Sequence, residues 1–147
     1  MNVEALEALM ETVEKAKMLE MKNRFGLVPR SVFYWDDVPD VFDMRYGYSV
    51  DPHCGSMGCL IGFGLGMSYN GKGSVKTSSE EGAFQLFGER FGLSIDMTTA
   101  LCHPRGNDES LSDILYSDVT PQDAVKAIQH VIDGARTAKK IWKHMLD

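Results

Sequence analysis

The chain has 147 residues, 44% of them hydrophobic and 24% charged, which fits one folded domain and excludes wholesale disorder. Fifteen Lys and Arg against 21 Asp and Glu leave a net charge of -6, so the chain repels a phosphate backbone and nucleic acid is disfavoured as a partner. Three cysteines make no paired disulfide framework, the acidic start is no signal peptide, and no apolar run spans a bilayer; a cytoplasmic protein with no membrane partner is expected.

Over residues 3–22, Leu6, Leu9, Val13, Ala16 and Leu19 recur at three- and four-residue steps, which predicts an amphipathic helix ended by Gly26 and Pro29. The segment from Ser31 to Val50 mixes aromatics with aspartates. Its second half alternates, with Phe42, Met44, Tyr46, Tyr48 and Val50 on one side, and predicts a half-buried strand. Ser74-Val75-Lys76-Thr77, after the turn-like Asn70-Gly71-Lys72-Gly73, is its expected partner.

Between these runs lies Cys54-Gly55-Ser56-Met57-Gly58-Cys59-Leu60-Ile61-Gly62, continuing to Met67. Glycine is a poor helix former, but Gly58, Gly62 and Gly66 fall at four-residue intervals, which on a helix makes a smooth ridge. A buried helix is expected there, with Gly62 facing a second helix at close range. Ser78-Ser79-Glu80-Glu81 reads as a capping box for a helix carrying Phe84, Phe87 and Phe91 on one face, closed by Gly92. Ser94 caps a shorter helix that stops before His103-Pro104, and residues 105–110 read as polar loop. Thr120-Pro121 opens the last helical stretch, which Gly134 bends or splits, and its period runs through Val125, Ile128, Ile132, Trp142 and Met145. The expected fold over 1–147 is a single mostly helical α+β domain, four to five helices packed around a small antiparallel sheet.

Phe42-Asp43-Met44, Cys54-Gly55-Ser56-Met57-Gly58-Cys59-Leu60-Ile61-Gly62, Phe91-Gly92-Leu93-Ser94 and Thr120-Pro121-Gln122-Asp123-Ala124-Val125 stand in this order over residues 42 to 133. In that order and spacing the chain resembles a family of small, largely uncharacterised domains of bacteria and their phages. The resemblance implies an accessory protein of phage or mobile-element type, a possible inhibitor of a host system. Leu101-Cys102-His103-Pro104 departs from the Leu-Phe-x-Pro of such sequences.

Cys54 at a helix start would be a thiol activated by the helix dipole, a nucleophile if His103 or His130 served as its base. The dipole alone contributes about 0.3–1 kcal/mol, too little to make a thiolate unaided. Catalysis at Cys54 with His103, as a hydrolase or transferase, is therefore the alternative reading. No metal site is expected: Cys54 and Cys59 would stand roughly 140° apart around a common helix. No cofactor motif is present. Asp36, Asp37, Asp40 and Asp43 lack the spacing of a cation loop. Tyr34, Trp35, Asp36 and Asp37, with Tyr46 and Tyr48, form a surface too polar to bury whole, suited to a partner. Arg136, Lys139, Lys140 and Lys143 make a basic C-terminal face. The expected function is thus a non-catalytic binding protein that engages a host protein or other macromolecule, or a small ligand.

Overall fold

The computed structural model describes residues 1–15, 59–67 and 80–146, together with Phe42 and the backbone of a few short extended runs between residues 17 and 77. The part described with side chains is 73% helical, in seven α-helices. These are α1 (Val3–Glu14), α2 (Leu60–Gly66), α3 (Glu80–Phe91), α4 (Ile95–Cys102), α5 (Pro104–Asn107), α6 (Pro121–Ile132) and α7 (Ala138–Ile141). No helix among the described residues is long and apolar enough to cross a membrane.

The expected α+β fold with its antiparallel sheet is not supported, since no strand lies in that helical part. The extended runs are two to four residues long, with parallel as well as antiparallel neighbours. Most of the alternating run from Phe42 to Val50 lies outside the described residues. Lys76–Thr77 sits beside Phe33–Tyr34, not beside that run. An alternating pattern reports which faces differ in polarity, not which backbone will be offered as a neighbour.

Asn2 caps α1 by accepting from the Ala5 N–H at 3.1 Å. Ala5, Leu6, Leu9 and Val13 form its buried stripe. The helix ends at Glu14, short of the expected residue 22; Ala16 and Leu19 lie outside the described residues. The main partner of α1 is α6, with α2 and α3 also against it. On α6, Ala124, Ala127, Ile128 and Val131 complete the shared core.

The chain enters α2 later than its glycines suggest. Cys59 is the N-cap residue, so Gly58 precedes the helix. A second helix comes close at Gly64: a Cβ there would stand 2.8 Å from Phe91 Cε2 and closer still to the Phe87 ring. Phe87 and Phe91 fill this space with ring centroids 4.4 Å apart, and Phe42 packs on Phe63 at 5.8 Å. Arg90 of α3 donates to the Gly64 carbonyl at 2.9 Å and the Met67 carbonyl at 2.6 Å, satisfying acceptors at the end of α2.

Gly92 ends α3 at φ +66°, as expected, and the N-terminus passes close over it: Asn2 N–H donates to the Phe91 carbonyl at 2.9 Å. Ser94 caps α4 through the Met97 N–H. Residues 105–110 are not plain loop. Pro104, which has no N–H to satisfy, starts the single turn of α5, and a 3-10 turn follows at Glu109–Leu111. The serine box expected at Ser78–Glu81 lies mostly outside the described residues.

Candidate binding cleft at the α6–α7 corner

Thr120 opens α6 with a reciprocal capping box: its hydroxyl accepts from Asp123 N–H at 3.1 Å, and the Asp123 carboxylate accepts from Thr120 N–H at 3.0 Å. The helix stops at Ile132. Gly134, at φ +113°, then turns the chain sharply, and Thr137 caps the short α7. The split therefore replaces one long helix by two that meet at a corner.

The basic residues of this stretch take different tasks. Arg136 donates to the carbonyls of Val131 at 3.1 Å and Ala135 at 2.9 Å, covering the exposed end of α6. Lys139 lies close enough to Asp108 to help hold its carboxyl below the ordinary range, after the dominant hydrogen bonds from Ser110. Lys140 and Lys143 have no acidic partner among the described residues. They line a cleft of about 410 Å³ with His130, Asp133, Gly134 and Ala135. A Cβ built on Gly134 would meet nothing within 4 Å, so the corner leaves the cleft open.

A histidine–tryptophan stack adjoins the cleft. Nδ1 of His130 lies 2.8 Å from the Ile141 carbonyl, which can only accept, so Nδ1 carries the proton of the neutral ring. His144 uses the other nitrogen: Nε2 donates to the Asp123 carbonyl at 2.9 Å, while its Nδ1 is buried with no partner among the described residues. Burial first, and His130 beside it, lower the His144 pKa against the raising effect of the Asp123 carbonyl. The His130 and His144 rings meet edge to face at 5.2 Å, and His144 stacks on Trp142 at 5.7 Å. Trp142 is fully buried, its indole N–H shared between the carbonyls of Ala100 at 3.1 Å and Leu101 at 3.2 Å.

Of the residues singled out from the sequence, Tyr34, Trp35, Asp36, Asp37, Tyr46, Tyr48 and Cys54 lie outside the described residues with their side chains. The helix that was to activate Cys54 begins only at Leu60. His103 is exposed and engaged elsewhere. Tyr116 hydroxyl accepts from Arg105 N–H at 3.0 Å and shares a hydrogen bond with His103 Nδ1 at 2.8 Å, and the Arg105 guanidinium lies 5.2 Å above the Tyr116 ring. Cys59 and Cys102 are buried and not disulfide-bonded. Burial, and then Cys59 nearby, raise the Cys102 pKa well above the ordinary range, so it stays a thiol. Among the described residues, no three His, Cys, Asp or Glu side chains are grouped to hold a metal ion.

Comparison with protein families, with curated proteins and with solved structures found no match. The basic face is legible in the sequence; its division of labour is not. The signal lay in Gly134, whose bend sets Lys140 and Lys143 beside His130.

Proposed function

We propose that this protein is a non-catalytic binding protein whose contact surface includes the cleft at the α6–α7 corner. One observation carries the reading: Lys140 and Lys143 line a cleft and, among the described residues, neither forms an ion pair, although Asp133 shares the wall, on a chain of net charge -6. Unpaired cations beside a concave surface favour an anionic group. The resemblance to bacterial and phage domains supports an accessory role toward a host macromolecule or small ligand, antagonism of a host system included. The segment Tyr34-Trp35-Asp36-Asp37, with Tyr46 and Tyr48, is a second contact surface on its composition. A cysteine-dependent hydrolase or transferase draws less support, because Cys54 precedes the start of α2.

Affinity capture from host lysate, read by mass spectrometry of proteins and small molecules, tests this reading. Species held by the wild-type chain should be lost from a Lys140→Gln, Lys143→Gln variant. Identical species on both would remove the cleft from the function. Alkylation tests the alternative: at pH 7 a catalytic Cys54 reacts faster than a free thiol.

A further inference from the structure

We propose that the cleft binds a small phosphate ester that carries a hydroxyl near its phosphate, such as a pentose phosphate. This rests on the binding-protein reading and names the ligand class of the same cleft. Lys140 lies in α7 and Lys143 opens the 3-10 turn that follows it, and both line the cleft, so an anion there would meet two positive charges. The backbone offers little to an anion, since Gly134 N–H donates to Val131 and Ala135 N–H to the His130 carbonyl. Anion binding therefore falls to side chains. Lysines give point charges suited to phosphate, whereas a carboxylate is better held by the planar fork of an arginine. The nearby arginine, Arg136, is engaged with carbonyls.

The remaining wall narrows the ligand further. Asp133 faces the same space, and its carboxylate accepts from Gln129 Nε2 at 2.9 Å. A bare phosphate would be repelled by it. A ligand with a hydroxyl on that side supplies a donor, so the carboxylate becomes a selective contact. Gly134 and Ala135 leave room for a carbon skeleton between the two polar ends. At about 410 Å³ the cleft falls within the range of small-molecule sites.

Titration calorimetry on the full chain at constant ionic strength, with ribose 5-phosphate and inorganic phosphate as probes, tests the assignment. Ribose 5-phosphate should bind saturably and at least about tenfold tighter than inorganic phosphate, a step of about 1.4 kcal/mol. Lys140→Gln with Lys143→Gln should weaken both probes about tenfold or more. Asp133→Asn should weaken ribose 5-phosphate alone, and Lys139→Gln, outside the cleft, should change neither; thermal melts of each variant confirm that it is folded. Absence of saturation, equal affinity for both probes, or equal loss on Lys139→Gln would overturn the proposal. Tighter binding of a single-stranded oligonucleotide to the same lysines would overturn it too. If the sugar phosphate fails while lysate capture still depends on Lys140 and Lys143, the ligand class falls and the binding cleft stands.

Discussion

At Gly64 a single hydrogen atom stands between α2 and the rings of Phe87 and Phe91. Gly64→Ala should therefore destabilise the fold by about 1–3 kcal/mol through overpacking, although alanine is the better helix former. Chemical denaturation measures this, and an unchanged midpoint would show that α3 yields freely. His144 makes a different demand. Its Nε2 proton is bound to the Asp123 carbonyl, so a second proton must go to the buried Nδ1, which has no partner among the described residues. The folded pKa is accordingly lowered. As pH falls through the ordinary histidine value, about 6.5, the unfolded chain takes up a proton that the folded chain refuses. This contribution to stability is complete above that pH and is lost on the way down to the folded pKa. Urea midpoints should decline between about pH 7 and pH 5.5, and His144→Gln should flatten that part of the curve.

The caps show what local chemistry decides. Thr120 and Asp123 satisfy each other whatever lies around them, so the start of α6 is legible from four residues of sequence. Thr120→Ala should cost about 1 kcal/mol, read as a lower melting temperature, and Thr120→Ser should restore most of it. Ser94 and Gly92 were legible for the same reason. The end of α1 was not: the apolar period continues to Leu19, yet the helix stops at Glu14. Nor was the Gly64 contact, because glycine spacing marks where a helix can be approached but not which neighbour arrives. The cleft was half legible. Its charges stand in the sequence, but only the turn at Gly134 and the carbonyls held by Arg136 separate Lys140 and Lys143 from their neighbours. The sheet expectation failed because strand pairing is set by distant partners that alternation does not encode.

Across the whole molecule, Trp142 fastens the C-terminal corner to α4. Its side chain is fully buried and its N–H spans two carbonyls at the end of that helix. Trp142→Ala should cost roughly 3–5 kcal/mol. Because α7 and its lysines hang from this anchor, any ligand of the cleft should bind more weakly in whatever fraction stays folded. Calorimetry below the melting transition separates the two effects; intact binding in a destabilised variant would show that the cleft keeps its shape without the anchor.

The pairing of α1 with α6 also bears on how the chain is made. Synthesis runs from the N-terminal end, so α1 leaves the ribosome long before the helix that covers it. Until Pro121–Ile132 emerges, Leu6, Leu9 and Val13 lack their main partner, and an isolated twelve-residue helix is marginal in water. Contacts so far apart in sequence form slowly, after the intervening chain has been closed into a loop. The apolar stripe of α1 is thus left open to chaperones during translation until α6 emerges, and its burial marks the completion of the contact between the two helices.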